Sequence, residues 1–172
     1  MKFKELYSAD KKRNPAGGYK LRFLFLLRIV QTRRNAMLQR IIAVLLQHYR
    51  LKYGLEIPYK ATIGKGLYLG HAFNITINPN VVIGDNCNIH KGVVIGQTNR
   101  GERKGVPIIG NKVWIGINAA IVGGITIGDD VLIAPNSFIN QDVPSHSVVF
   151  GNPCIVKHRD NATENYIIRV VE

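Results

Sequence analysis

A chain of 172 residues can bury a core as one domain with a modest appendage. Its ordinary apolar content excludes a disordered chain, and its 17 glycines follow no strict G-x-y period, which excludes collagen. A formal net charge of +12 points to anionic partners (nucleic acid, an anionic membrane or a phosphorylated ligand) or to a solvated basic surface; Cys87 and Cys154 lie outside any CxxC or His/Cys cluster, which argues against a disulfide framework and fits a reducing, cytoplasmic setting.

Residues 1–18 are polar and basic and end in Pro15, Gly17 and Gly18. They read as a mobile lead-in or a short helix that stops there. No apolar h-region with a cleavage site follows, so a secretory signal is not expected. Residues 20–53 contain neither Gly nor Pro. Leu21, Leu24, Phe25 and Arg28 fall at helical spacing, as do Leu38, Ile41, Ile42, Leu45 and Leu46, with a break near Thr32–Asn35. Two amphipathic helices follow from this. Their apolar faces are expected against the main body or a neighbouring subunit. The alternative is an interfacial membrane helix, with Arg28, Arg33, Arg34 and Arg40 on its polar side. The apolar runs 21–30 and 41–49 are too short to span a bilayer.

Residues 55–156 carry an internal repeat. An aliphatic residue recurs every six positions: Ile57, Ile63, Leu69, then Ile77, Ile83, Ile89 and Ile95, and again Ile109, Ile115, Ile121, Ile127, Ile133 and Ile139. A small residue often stands two places earlier, as Ala61, Cys87, Ala119 and Ser137 do. Each six-residue unit makes a short strand and a turn, and three units close a triangular coil. The aliphatic side chains fill the interior as ladders, and Gly or Asn accommodates the turn. Cys87 is therefore expected as a small buried hydrophobe. A β-sandwich would not sustain this period.

Two interruptions break the register, and insertions in a solenoid mark a binding face. One adds two residues between Leu69 and Ile77; the other is the polar, basic loop Gln97–Pro107, which must project outward. His71 sits in the first interruption, at a turn, and is the leading candidate for a general base. His90 follows the ladder residue Ile89, faces outward and is the second candidate. A histidine base needs an orienting partner. Glu56 lies fifteen residues before His71, against about eighteen per coil, so a Glu56–His71 contact is geometrically reasonable.

The hexad register, the segment EIPYKATIGKGLYLGHAFNITI and the closing segment QDVPSHSVVFGNPCIVK resemble the hexapeptide-repeat acyltransferases, and within them the serine O-acetyltransferase branch with its polysaccharide-cluster relatives. The resemblance implies a mainly β fold: a left-handed parallel β-helix (hexapeptide repeat) preceded by a short α-helical N-terminal segment. It implies boundaries at 1–54, 55–156 and a tail at 157–172. It also implies a homotrimer with active sites in the clefts between helices. His71 matches the catalytic histidine of the LDHATG motif, and Glu56 falls where its partner aspartate stands. Gly70 replaces an acidic residue, Gly105-Val106 replaces an Arg-His pair that would help hold the amino acid, and the chain ends RVVE rather than in the isoleucine that docks cysteine synthase.

The implied activity is acetyl-CoA-dependent O-acetylation of a small hydroxyl acceptor, serine or alternatively a sugar or capsular polysaccharide. Acetyl-CoA would lie against Trp114, Gly116, Asn118 and Ala119. The cations Arg100, Arg103, Lys104, Lys157 and Arg159 would be available to its phosphates, and Lys157 is carried forward as a cofactor-binding candidate. No metal is implied, because no histidine pair with zinc spacing occurs between 60 and 130. The basic loop is poor in aromatics, which argues against nucleic acid. A weak peripheral membrane contact and an inactive scaffold are the other classes considered.

Overall fold

The computed structural model describes residues 2–33 and 35–172. It opens with α1 (Phe3–Arg13), α2 (Gly18–Thr32) and α3 (Ala36–Tyr53). The two helices and the break near Thr32–Asn35 stand where the periodicity put them, and Asn35 caps α3 by accepting from the Leu38 amide at 3.0 Å. The lead-in is an ordered helix rather than a mobile strand of chain. Gly54 ends α3 in the left-handed conformation, φ 64°, and the chain enters the first coil at the next residue.

The strands are short: β1 Leu55–Glu56, β2 Thr62–Ile63, β3 Tyr68–Gly70, β4 Ile75–Ile77, β5 Val82–Ile83, β6 Asn88–His90, β7 Val94–Gly96, β8 Ile108–Ile109, β9 Trp114–Ile115, β10 Ala120–Val122, β11 Thr126–Ile127, β12 Val131–Ile133, β13 Phe138–Ile139, β14 Ser147–Phe150 and β15 Ile155–His158. Every third strand stacks in parallel, giving sheets ordered β1-β4-β7-β10-β13, β2-β5-β8-β11 and β3-β6-β9-β12-β14, with β15 antiparallel to β14 at the end of the last. This is a left-handed parallel β-helix. All thirteen ladder residues from Ile57 to Ile139 are buried, as are Ala61, Cys87, Ala119 and Ser137 beside them. The corners need left-handed backbone. Asn86, Asn118 and Asn136 supply it at φ 59°, 58° and 58°, the conformation that Asn tolerates best after Gly.

The helices are fastened to the coil by polar groups that periodicity could not pair. The interfacial-membrane alternative puts Arg28 on the polar side of α2. Instead it is fully buried: its guanidinium pairs with Asp10 of α1 at 2.8 Å and donates to the Ile63 and Gly64 carbonyls. Asp10 in turn accepts from the Leu67 amide at 2.9 Å. The ion pair is satisfied on both sides, which is the condition for burying it. Arg34 lies outside the described residues. On α3, Ile42 and Leu46 are buried while Ile41 and Leu45 of the same expected apolar set are exposed. The buried face of α3 is therefore narrower than its sequence.

Candidate active site

His71 stands at the first interruption, just after β3, where the chain leaves one sheet for the next. Its φ is +51°, and Asn74 closes the same turn at +52°. Non-glycine residues in this region carry strain that persists where the surroundings hold it. The turn is held from below: the Asn74 and Ile75 amides donate to the carbonyls of Tyr53 and Gly54. β1, which carries Glu56, thus pairs with β4, the strand that follows this turn, with Glu56 in register with Thr76. Among the described residues no hydrogen bond joins Glu56 to His71. Glu56 accepts from Arg50 Nε at 2.7 Å in an exposed ion pair. Glu56 and Arg50 line a groove of about 350 Å3 between α3 and the coil.

His90 lies one coil above Gly70, its register partner. A Cβ built on Gly70 would overlap the His90 ring, so the ring occupies the space a side chain at 70 would need. His90 Nδ1 lies 2.9 Å from the Ile115 carbonyl oxygen. Only a protonated nitrogen can bond a carbonyl, so Nδ1–H donates and Nε2 keeps its lone pair in the neutral ring. Burial pushes the His90 pKa below its ordinary value; the Ile115 bond opposes this, and His71 and Lys20 add to it. His90 packs against Trp114, with ring centres 4.6 Å apart, and Trp114 against Tyr166 of the C-terminal segment at 5.1 Å.

These rings wall a cavity of about 220 Å3 on the β3-β6-β9 face, which also takes in Tyr68, Lys20 and Arg169. Lys20 Nζ donates to the Leu69 carbonyl at 3.2 Å and sits 4.9 Å from the centre of the Tyr68 ring. Burial draws its pKa down. Arg13 closes the floor, its donors engaged by Gly66, Asn88 and Ile168. Among the described residues the cavity lining holds no carboxylate.

Residues 107–141 match the family described as bacterial transferase hexapeptide (six repeats). A serine acetyltransferase of Synechococcus elongatus is 37% identical over 120 residues, 69% of this chain and 49% of that protein. The chain belongs to the hexapeptide-repeat acyltransferase family, on its serine O-acetyltransferase branch. A solved Neisseria gonorrhoeae serine acetyltransferase in complex with serine superposes with a TM-score of 0.76 at 27% identity, over 90% of this chain and 69% of that one. A serine acetyltransferase in complex with CoA gives 0.73 at 25% identity, over 88% and 66%. The chain spans about half to two thirds of the length of the curated relatives it matches.

The residues expected to meet acetyl-CoA divide. Trp114 is partly exposed on the face just described. Gly116 lies against the next coil, where a Cβ would crowd the Ile133 and Pro135 backbone, and Asn118 forms the left-handed corner after it. Ala119 has no exposed surface, and its N–H and C=O already bond Gly116 and Val94. Its side chain fills the coil rather than facing a ligand. Lys157 is exposed on β15, 5.8 Å from the centre of the Phe150 ring. The loop Gln97–Pro107 projects as expected and folds back on the coil: Arg103 pairs with Asp142 at 3.1 Å and its carbonyl accepts from the Gly124 amide. Sequence reasoning missed Lys20 and Tyr166, whose only signal is tertiary: one comes from α2 and the other from the tail.

Proposed function

We propose that the chain is an acetyl-CoA-dependent O-acetyltransferase acting on a hydroxyl of a small acceptor. The observation that carries this is His71, strained at the sole turn where β3 passes to β4 and matching the family's catalytic histidine, on a scaffold whose relatives are serine acetyltransferases. Serine is the acceptor those relatives name. A sugar hydroxyl is the alternative, favoured by Gly70 where an acid was expected.

The neutral His71 imidazole takes the proton from the acceptor hydroxyl as the oxygen attacks the thioester carbonyl. The tetrahedral intermediate collapses, the carbon–sulfur bond breaks, and the imidazolium returns the proton to the leaving CoA thiolate. The products are the acetyl ester and free CoA. Base catalysis of this kind contributes roughly 10²- to 10⁴-fold. Glu56 turns from Arg50 to hold the His71 ring and offset the imidazolium charge. The corner Gly116–Asn118 offers backbone to the pantetheine arm, and Lys157 offers a charge to the phosphates.

The partner is a second and third copy of the chain. Met37, Ile41, Val44 and Leu51 stand exposed along α3 at spacings of four, three and seven residues, the narrow stripe a neighbouring helix covers. A peripheral membrane contact is the weaker reading of the same helix, which carries Arg40, Arg50 and Lys52 and no acidic residue. No helix among the described residues is long and apolar enough to cross a membrane. A cytoplasmic location accords with acetyl-CoA as co-substrate.

The test is release of free thiol from acetyl-CoA by the purified chain, with L-serine and a panel of sugars as acceptors. Acceptor-dependent release is expected. No release with any acceptor, together with no acetyl-CoA binding, overturns the enzyme reading.

A further inference from the structure

The cavity on the β3-β6-β9 face is not absorbed by the chemistry above, and one of its walls, His90, packs over the residue next to the base. Gly70 immediately precedes His71, and the His90 ring lies over Gly70. With Nδ1–H tied to the Ile115 carbonyl, His90 is fixed in one tautomer and presents Nε2 as an acceptor on that side. The walls are three aromatic faces, Tyr68, Trp114 and Tyr166, and the charges are Arg13 on the floor, Lys20 and Arg169. Lys20 uses one of its three donors on Leu69, and among the described residues no carboxylate pairs with it.

We infer that this cavity is the acceptor subsite and that it takes a single sugar ring bearing a phosphate or carboxylate, with one ring hydroxyl donating to His90 Nε2. The inference rests on the acyltransferase reading and selects between its two acceptor classes. An amino acid would bring an ammonium group among cations with no acid to receive it, an unpaired charge that such a site rejects. An anionic group meets Lys20 and Arg169 instead. The aromatic faces suit the apolar faces of a sugar ring. The volume, about 220 Å3, is below the roughly 300–1,000 Å3 of drug-sized sites, so it holds one ring and leaves the hydroxyl at its mouth toward His71. His90 is a positioning residue: it orients the ring and takes no proton from the reacting oxygen.

Trp114 is the single tryptophan of the chain, so its fluorescence reports occupancy of the cavity without reference to turnover. The full chain is titrated with glucose 1-phosphate, glucuronate, glucose, inorganic phosphate and L-serine, and thiol release is measured in parallel. The charged sugars should change Trp114 emission at concentrations at least tenfold below those needed for glucose or inorganic phosphate, with L-serine silent. In His90→Asn the amide still reaches the Ile115 oxygen but nothing reaches the place of Nε2, so the KM for the charged sugar should rise tenfold or more, a larger change than in kcat. His90→Gln puts a polar atom back at that place and should restore it. Lys20→Met should remove the preference for charged over uncharged sugar. Serine-driven release with Trp114 silent to charged sugars overturns the inference and leaves the acyltransferase standing. Inorganic phosphate acting as well as glucose 1-phosphate overturns the sugar part. A Trp114 response with no release from any acceptor overturns both the acceptor role and the enzyme.

Discussion

Cys87 and Cys154 differ in what surrounds them, and that difference is measurable. Cys87 is fully buried on an interior position beside the Ile89 ladder, and burial pushes its thiol pKa up to about 12. Cys154 is partly exposed. With a thiol reagent at neutral pH, one cysteine should react quickly in the native chain and the second only on unfolding. Fast reaction of both would contradict the interior register. That register was legible because one residue in six is aliphatic and each such residue has no other place to go. The role of His90 was only half legible. Its outward direction follows from Ile89, but the bond to Ile115 and the contact with Gly70 join residues on different coils, which no local pattern marks. Glu56 is the converse case. Its spacing from His71 suggests neighbouring coils, yet Arg50, six residues away on α3, takes its carboxylate.

The helices and the tail are attached by a few polar anchors, and each makes an element separately testable. Asp10 and Arg28 are both at 0% exposure and join α1, α2 and the first coil. Removing one partner strands the other charge, so Asp10→Ala should cost about 3–5 kcal/mol in urea unfolding. Asp10→Leu combined with Arg28→Met should recover much of that, because neither charge is then left buried alone. A double variant no better than the single would contradict the account. At the other end Asp130 accepts from the Ala162 and Thr163 amides, the Thr163 hydroxyl and His146. Burial alone would raise its pKa, but the bonds from Thr163, His146 and Ala162 outweigh that and hold it below the ordinary carboxylate value. A depressed carboxylate contributes stability above its unfolded pKa of about 3.9 and loses it as pH falls through the folded value. The tail should therefore loosen below about pH 4, read as faster proteolysis after residue 158, and Asp130→Asn should loosen it at neutral pH. The tail carries no periodicity, so its docking could not be read from sequence. The α1 anchor was invisible for a related reason: a buried Arg on an amphipathic helix looks like a solvated one until its partner is known.

At the scale of the molecule, the coil is a ladder in which each layer rests on the next, and its core is a run of aliphatic side chains at matching positions. Truncating one of them, as in Ile95→Ala, removes buried methyl groups from a fully enclosed layer and should cost about 2–5 kcal/mol in the same unfolding experiment. The exposed stripe of α3 belongs to this scale too. Val44→Glu should shift light-scattering mass from trimer toward monomer if the stripe is the subunit contact, and should leave it unchanged if it is not. The coil was legible because a six-residue period sustained over this length calls for stacked triangular turns, whereas what the repeats carry at their interruptions is written in single residues.

The central claim is that His71 moves the acceptor's proton rather than holding the turn. The direct measurement is single-turnover acetyl transfer by His71→Asn, a residue that keeps the left-handed turn, beside the binding constant for acetyl-CoA. The account predicts a fall of roughly 10²- to 10⁴-fold in transfer with acetyl-CoA affinity within about twofold of the parent. Transfer within tenfold of the parent would show that the base lies elsewhere and contradict the account.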